Sequence, residues 1–419
     1  MTTPPEVPTR WRHAALLDPP PRFRSFARLF GVRVRPDDPD VLRLRDGLMQ
    51  TDTVADDFVA WAAQAPSGIG RRLFERAVDH GIDAVPEAPP ELVRWFAPIE
   101  SPPSWLNPDA LRLAAHTTFR VGAAGGAVLT GVALMGGYRS QAAVKPLAMT
   151  GALERMAKRR IAETSRFVLD VTGSETMPRF SDGWKSTARV RLMHTMVRRS
   201  LRQRSDWDTA AWGMPINQTD TAATHLEFSA IYITGLRALG FRFTEDEREA
   251  IMHLWRYVSI LMGADDALLA HDYRSGLRQM YIHGVTNPPA DDDSRALAQA
   301  LHRLPMQLAS TPWERAVAKL QTRAQTALSR LVLGDEAIDD LGLPRAPLHP
   351  LLLGLSATRW GAETLRRAIP GATALAAKRG RDMQRRVVAD LVGREKVRYV
   401  PYGDRGAKPS EPPGLRVVS

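Results

Sequence analysis

The stretch "STARVRLMHTMVRRSLRQ", residues 186–203, places a histidine at the centre of an apolar pattern with helical spacing. Positions three and four apart lie on one face of an α-helix. The face defined in this way carries Val190, Met193, His194, Val197 and Leu201. Arg191 lies nearly one turn before the histidine and Arg198 about one turn after it. The spacing predicts a helix that directs the His194 imidazole into a core, with two cations at the edges of the same face.

Two interpretations of His194 remain open from these residues alone. In the first, the imidazole is a core group that hydrogen-bonds a carbonyl, while Arg191 and Arg198 extend their charged ends to water. In the second, the neutral imidazole binds the iron of a haem in an apolar slot. The second interpretation also gives the arginines a partner, because haem propionates are anions that suit bidentate guanidinium donors.

Composition limits the chemistry that a metal at this site can use. The 419 residues include no cysteine, which excludes disulfides, cysteine-bound zinc, iron–sulfur clusters and thiolate-ligated haem. The net charge of +11 permits nucleic-acid binding. However, the basic residues are spread along the chain beside acids, and only 7 of the 57 are lysine. We therefore expect a compositional bias and no nucleic-acid partner.

Helical periodicity dominates the chain on both sides of this stretch, and convincing strand alternation is absent from the sequence. The predicted fold class is all-α. The predicted helices span residues 40–50, 52–66, 68–80, 108–137, 141–150, 152–171, 184–203, 220–239, 245–262, 264–283, 293–303, 312–333, 350–368 and 371–394.

Proline clusters and charge runs divide the chain into four predicted parts. Residues 1–35 form an N-terminal proline-rich arm, and residues 36–345 form the main helical domain. Residues 346–400 form C-terminal helices packed on that core, and residues 401–419 form a flexible tail. The segment "NPPADDDS", residues 287–294, is the clearest internal break.

The N-terminus and the longest uncharged run are the segments in which an export signal or a membrane span would be expected. "VGAAGGAVLTGVALMGG", residues 121–137, is only 17 residues long and falls short of a usual membrane span. We expect it to be a buried central helix, because its small residues admit close neighbours. The first residues show no export signal, so a cytoplasmic location is expected.

Two further segments indicate local structure near the histidine helix. "WDTAAWGMPINQTDTAATHLEFS", residues 207–229, places a polar loop before a helix predicted to be capped at Asp220, and this loop is expected to seal one edge of the pocket. "TEDE", residues 244–247, is a capping box between Thr244 and Glu247, and Gly263 is expected to end the helix that begins there.

A non-haem iron site is the main alternative among metal centres. His225 and Glu227, together with His253, superficially resemble a set of two histidines and one carboxylate. The segment "HLE" reads as helix, however, and residues two apart on a helix point about 200° away from each other. We therefore do not expect these side chains to form a metal site.

Three ordered segments resemble the latex clearing proteins, which are haem rubber oxygenases, and the wider superfamily with the fungal mycophenolic-acid-pathway oxygenase that cleaves a farnesyl chain. The segments are "RVRLMHTMVRR" (189–199), "WGMPINQTD" (212–220) and "LWRYVSILMG" (254–263). The resemblance extends over about residues 40–340. It implies a globin-like helical core, with additional helices packed around it, that holds haem b. It makes His194 the proximal iron ligand and makes Arg191 and Arg198 its flanking cofactor-binding arginines.

The resemblance also implies a distal helix, on which the chain departs from the family pattern. The family has an arginine, two residues and then a lysine–threonine pair, whereas "RRIAET" offers Arg160, Glu163 and Thr164. A carboxylate is a weaker ligand than the family's lysine and a possible proton acceptor, so the catalytic residues predicted are Glu163, Thr164 and Arg160. The family's upstream distal glutamate has no counterpart, since counting back leads to about Val144 and Lys145.

The function implied is that of a haem-dependent oxygenase that uses O₂ on an apolar, alkene or isoprenoid-like substrate, by oxidative C=C cleavage. Hydroxylation or peroxide-dependent oxidation is the second choice. A haem-binding sensor or carrier is the non-enzyme alternative, and a basic scaffold without cofactor is the third. The sequence leaves the substrate and the oligomeric state undetermined.

Overall fold

The computed structural model of the protein describes residues 7–149 and 153–393, with no side-chain description at 153–156. Within these ranges every regular element is helical and no strand occurs, so the predicted all-α class is confirmed. The first ten α-helices are α1 (Pro21–Phe30), α2 (Pro39–Asp46), α3 (Thr53–Gln64), α4 (Ile69–His80), α5 (Pro90–Glu100), α6 (Pro108–Arg120), α7 (Ala123–Val128), α8 (Met135–Tyr138), α9 (Gln141–Met149) and α10 (Leu153–Gly173).

The remaining α-helices are α11 (Asp182–Arg202), α12 (Thr209–Trp212), α13 (Gln218–Phe228), α14 (Ala230–Ala238), α15 (Glu245–Leu261), α16 (Tyr273–Thr286), α17 (Asp292–Leu308), α18 (Pro312–Leu333), α19 (Asp335–Asp340), α20 (His349–Ala368) and α21 (Ala372–Val392). A π-helical segment, Leu129–Leu134, joins α7 to α8. Short 3₁₀ turns occupy His13–Leu16, Gly47–Met49, Ile82–Ala84 and Asp266–Leu268.

The helix α11 is held by an aromatic core at its N-terminal end. Ser181 caps the helix by accepting a hydrogen bond from the Trp184 backbone N–H. The Trp184 ring packs against Phe96, and its indole N–H donates to the Ile99 carbonyl at 3.2 Å. Beyond it, α11 contacts α10, α3 and α15. Burial of such large rings contributes several kcal/mol to the packing, about 3–5 for removal of one buried Phe or Trp. The core therefore fixes which face of α11 is directed inward.

The predicted helix over residues 108–137 is wrong as a single helix. The structure breaks it after α6, and the two halves, Pro108–Arg120 and Ala123–Tyr138, meet at 88°. Gly122 makes the bend, because its φ of +56° is a conformation that side-chain-bearing residues rarely adopt. Among the described residues no single helix is long and apolar enough to cross a membrane, and this bent pair meets that length and composition criterion only when taken together.

Two other predicted helices differ from the structure in their bounds. The pattern over 220–239 forms α13 and α14, because the backbone at Ser229 leaves helical geometry with φ −117° and ψ −93°. The cap of α13 is Asn217, whose side chain accepts from the Asp220 N–H, so the predicted cap at Asp220 is wrong. The predicted helix 264–283 begins only at Tyr273, where Asp272 caps α16.

Helix α5 is absent from the sequence-based prediction, although its signals are present. Pro90 sits in its first turn, where a missing N–H costs nothing, and Leu92, Trp95, Phe96 and Ile99 form its buried stripe. The internal Pro98 obscured the pattern. In contrast, the capping box of Thr244 and Glu247 at the start of α15 is confirmed, as is Gly263, with φ +84°, just after its end.

The two ends of the described chain lie against the central helices. Arg10, in the predicted N-terminal arm, makes a bidentate ion pair with Asp220, and α1 also lies in that arm. At the other end α21 packs on α6 and α10, where Gly380 lies directly against the Phe119 carbonyl. The predicted domain boundaries stay predictions, and the predicted tail, 401–419, lies outside the described residues.

Arg120 joins three helices through a buried charge network. Its guanidinium donates to Glu247 of α15 at 2.9 Å and to Glu363 of α20 at 2.8 Å, and also to the Arg242 carbonyl. The Arg120 side chain is only 1% exposed, and both carboxylates are nearly buried. Such a network stabilises the fold only while all its members are present, because removal of one leaves unpaired buried charges.

The substitution Arg120→Ala is expected to lower the free energy of unfolding by about 3 kcal/mol or more, since it leaves two buried carboxylates uncompensated. Denaturant unfolding followed by circular dichroism measures the change. The control is Arg94→Ala, because Arg94 is half exposed and pairs with Asp57 and Glu91 at the surface, where a loss below about 1 kcal/mol is expected. Equal losses in both variants would contradict the network.

Candidate functional site

The His194 side chain faces a cavity between α11, the start of α13 and the end of α15, whose volume is about 270 Å³ when the open, solvent-filled space at its mouth is included. The cavity is lined by Asp52, Arg191, His194, Thr195, Arg198, Ile216, Gln218, Thr221, Met262 and Gly263. All three residues predicted to bind a cofactor are therefore brought together at one cavity.

Burial lowers the pKa of His194 to about 4, and the nearby Arg198 charge adds to this effect. The imidazole is thus neutral at pH 7, and it keeps accessible surface because it borders the cavity. Its ring nitrogens make no hydrogen bond to any residue in the described ranges. A buried histidine normally has a hydrogen-bond partner, so this one differs from the core group of the first interpretation. It is a neutral nitrogen ligand directed into open space.

Arg191 and Arg198 are held by two aspartates of the α3 N-terminus. Arg191 donates to Asp52 through Nε and Nη2, at 2.7 and 2.9 Å, and its guanidinium lies over the Trp95 ring. Arg198 Nε donates to Asp56 at 2.7 Å. These pairs fix both guanidinium groups at the cavity wall. Of the six guanidinium nitrogens of the two arginines, only Nη1 of Arg191 has no hydrogen bond to a described residue.

The polar loop before α13 forms one wall of the cavity, as the sequence predicted. Gln218 donates to the Gly263 carbonyl at 3.0 Å and accepts from the Asp265 N–H at 2.9 Å, which ties the loop to the end of α15. Gly263 is required at that point, because a Cβ there would collide with Asp52 and lie 2.7 Å from Arg191 Nε. Glycine thus permits the close approach of the loop to the arginines.

A second cavity, of about 340 Å³, lies between α8, α10 and α17. Arg160 and Thr164 line it, together with Ala157 and Tyr138. Arg160 lies close enough to stabilise the charge of the Tyr138 phenol, although burial is the stronger effect and raises its pKa. The structure therefore gathers two of the three predicted catalytic residues at one apolar space.

Glu163, the third predicted catalytic residue, is placed differently. Its carboxylate accepts from Arg159 Nε at 2.7 Å in an i,i+4 ion pair along α10. It is not among the residues that line either cavity. Its catalytic role stays a prediction, and its geometry is that of an ordinary ion pair between neighbouring turns of a helix.

Glu227 is a carboxylate in this region for which the sequence analysis predicted no role. It lies on α13 against Gly137, where a Cβ would collide with its Oε1, and its charge acts on the Tyr138 phenol. Among the described residues it has no hydrogen-bond or ion-pair partner, and burial raises its pKa to about 8. It nevertheless keeps some accessible surface, which indicates that it borders an internal space. The only signal in the sequence is an acid on an otherwise uncharged turn, "THLEF".

The alternative iron site of two histidines and a carboxylate is not formed. His225 is within 3.1 Å of the Ala270 carbonyl through Nε2, and His253 accepts from the Asn107 N–H at 3.0 Å. Across residues 7–149 and 153–393 no three histidines or acids are grouped as metal ligands. Both histidines therefore have structural partners, as expected from the helical phase of "HLE".

The structure is thus an all-α protein in which a neutral imidazole and two ion-paired arginines border one cavity. The sequence matches the family described as "ER-bound oxygenase mpaB/B'/Rubber oxygenase, catalytic domain" over residues 119–367. The match covers more than half of the chain, which therefore belongs to this family. The matched span includes His194 and Arg160 as well as Glu227, so the expected resemblance is confirmed.

Two relatives can be compared in more detail. The rubber oxygenase of Streptomyces sp. (strain K30) is 26% identical over 208 residues, which are 48% of this chain and 48% of that protein. The match thus spans about half the length of each. The structure of a latex clearing protein, LCP, in the closed state superposes with a TM-score of 0.57 at 20% identity, covering 81% of this chain and 91% of that one. The latter similarity supports the fold.

The pKa of Glu227 predicts a pH-dependent effect of Glu227→Gln on stability. The folded protein holds a proton on this carboxyl that the unfolded chain releases above pH 4.5, so the wild-type free energy of unfolding falls as pH rises toward 8. The uncharged glutamine avoids this loss. Between pH 4.5 and 8, the free energy of unfolding of the variant minus that of the wild type should therefore rise by up to about 1.4 kcal/mol per pH unit. Urea unfolding of both proteins at pH 5, 6.5 and 8 measures it.

Glu163→Gln is the matched control, because Glu163 is on the neighbouring helix α10 but is paired with Arg159. We expect a small loss, below about 1 kcal/mol, for an ion pair of this kind. A gain in stability with pH in this variant, or none in Glu227→Gln, would contradict the placement of Glu227.

Proposed function

We propose that the protein is a haem b-dependent oxygenase that acts on an apolar, isoprenoid-like substrate with O₂, by oxidative cleavage of a C=C bond. The single observation that carries the proposal is His194, which is neutral, deeply placed and without a protein partner, and which faces a cavity edged by two arginines. Membership of an oxygenase family and similarity to a rubber oxygenase support the reaction class and the substrate class.

The residues at the cavity fit a haem by the chemistry of their donor atoms. His194 is the nitrogen ligand for iron, and the free Nη1 of Arg191 is the donor best placed to bind a propionate. Arg198 already donates through all three of its nitrogens, so its role at the cavity is to hold the Ile216 carbonyl and Asp56 in place. When bound, the haem supplies the activation of O₂.

The protein's own residues provide polarity and exclude water on the side of the second cavity. Arg160 and Thr164 line that cavity and are its polar groups, together with the Tyr138 phenol. The remaining lining is aliphatic, with Leu134, Ile161, Leu297 and Leu301 among its residues. An apolar chain fits such a wall, and the few polar groups orient the carbon atoms that react.

Glu227 is the proton-holding group in this arrangement. Its carboxyl is protonated at neutral pH because burial raises its pKa to about 8, and among the described residues no ion pair competes for it. A carboxyl with a pKa near the working pH can both donate and accept a proton, which is the requirement for general acid–base catalysis. Neither Glu227 nor Glu163 lines the two cavities, and we propose Glu227 for proton transfer because its carboxyl, unlike that of Glu163, is not ion-paired.

The haem proposal predicts a Soret absorption band in purified protein or in protein reconstituted with haemin. His194→Ala should lose the band or shift it, because the iron loses its nitrogen ligand. The control is His283→Gln, since burial also lowers the pKa of His283 to about 4 but this residue does not line the cavity. A spectrum unchanged by His194→Ala, or protein that takes up no haemin, would overturn the proposal.

The oxygenase proposal predicts O₂ consumption with isoprenoid chains and carbonyl products detected by mass spectrometry. Glu227→Gln should lower kcat by about 10²-fold, the usual contribution of a general acid–base group, while the haem spectrum is retained. Glu249→Gln is the control, because Glu249 also has a raised pKa from burial but accepts hydrogen bonds from the Tyr273 backbone. Loss of activity in Glu163→Gln with full activity in Glu227→Gln would reverse the assignment. Haem binding without O₂ consumption would favour a sensor or carrier.

A further inference from the structure

Helix α20 presents an apolar face to the outside of the protein. Its inward side is fixed by Leu352 and Glu363, and by Ser356, whose hydroxyl donates to the Ala238 carbonyl at 2.8 Å. The outward side carries five large apolar side chains that are between 49% and 62% exposed. These are Leu351, Leu353, Leu355, Trp360 and Leu365.

No charge interrupts this face along most of the helix. From His349 to Leu365 the charged residues are Arg359 and Glu363, and both are directed toward the protein. Arg359 donates to the Leu239 carbonyl at 3.2 Å, and Glu363 binds Arg120. Small residues, Gly354, Ala357 and Gly361, fill the exposed positions between the large ones. A helix that is apolar along its solvent side over this length marks an interaction surface.

The charges around the face are nearly all positive. Between Asp340 and Asp382 the chain has seven arginines and lysines but only one acid, Glu363, which is buried. Arg345, just before α20, and Lys378 and Arg379, early in α21, are exposed and pair with no acid among the described residues. An apolar helix face carried by a segment whose exposed charges are unpaired cations is complementary to a surface that is apolar inside and negatively charged outside.

We propose that the outward face of α20 docks on an anionic lipid membrane, with the leucines in the acyl region and the flanking cations at the headgroups. The Trp360 indole supports this arrangement, because tryptophan favours the level of the headgroups and its ring already carries the Arg242 guanidinium at 4.7 Å. The helix lies in the interface and does not cross the bilayer. This inference does not depend on haem or on the oxygenase reaction.

Charge favours an anionic lipid membrane over a second copy of the chain as the partner of this face. A symmetric dimer through α20 would bring the same cations of both copies together, with no accessible acid on this segment to pair with them. Anionic lipid provides the missing negative charge, and each cation near such a surface contributes about 1 kcal/mol. The lipid surface is therefore the better match.

The test is vesicle co-sedimentation of the full chain with phosphatidylcholine alone and with mixtures of phosphatidylcholine and phosphatidylglycerol. We expect binding to the mixed vesicles that weakens with added salt and with a lower phosphatidylglycerol content. Leu351→Glu/Leu355→Glu should reduce the partition coefficient about tenfold or more, since it places two carboxylates on the apolar face. Circular dichroism confirms that the variant is folded.

The matched control is Leu17→Glu/Leu29→Glu, which adds the same two charges at leucines that are 75% and 77% exposed but lie far from α20 in sequence and in the predicted arm. We expect this control to retain most of the binding. Absence of vesicle binding by the wild type would overturn the proposal, as would equal losses in both double variants. A concentration-dependent dimer that is lost in Leu351→Glu/Leu355→Glu, without vesicle binding, would assign the face to a second copy and also overturn it.

Discussion

The pairing of α11 with the first turn of α3 is the constraint on which the site depends. Asp52 caps α3 and at the same time receives two hydrogen bonds from Arg191, while Asp56, one turn later, receives Arg198. Because both arginines are fixed in this way, the residue between them has one orientation, which is into the cavity. Two charges that would be costly to bury alone are buried as pairs, and the neutral His194 lies between them.

The same pairing gives the cavity at His194 a polar wall that differs from that of the second cavity. The cavity at His194 is bordered by two ion-paired guanidinium groups and by the polar loop of Gln218, whereas the cavity at Thr164 has mainly aliphatic walls. The two kinds of surroundings lie on the neighbouring helices α11 and α10. Glu227, on α13, has a raised pKa because it is buried without an ion-pair partner among the described residues.

Much of this could be predicted from the sequence, for physical reasons that differ between residues. The pattern around His194 lies within one helix, so the direction of its side chains could be predicted from residue spacing. The same spacing places Arg191 and Arg198 at the cavity that His194 faces. The bend at Gly122 depends on one positive φ, which no periodicity reveals. The surroundings of Glu163 and Glu227 could not be predicted from the sequence for a similar reason. Local spacing cannot show that Arg159 pairs with the first, or that Gly137 of α8 shields the second from solvent.

The ion pair between Arg10 and Asp220 affects the order in which parts of the protein fold. The two partners are 210 residues apart, and the neighbouring N–H of Thr9 donates to the Ala210 carbonyl across a similar separation. During synthesis the segment with Thr9 and Arg10 cannot pack against the loop beside His194 until more than half of the chain has emerged from the ribosome. The wall of the cavity is therefore completed late in folding, by a non-local contact of the slow-forming kind. Until then the loop that carries Asn217 and Gln218 is held by the end of α15 and by the segment before α3, where the Gln218 N–H donates to the Gln50 carbonyl.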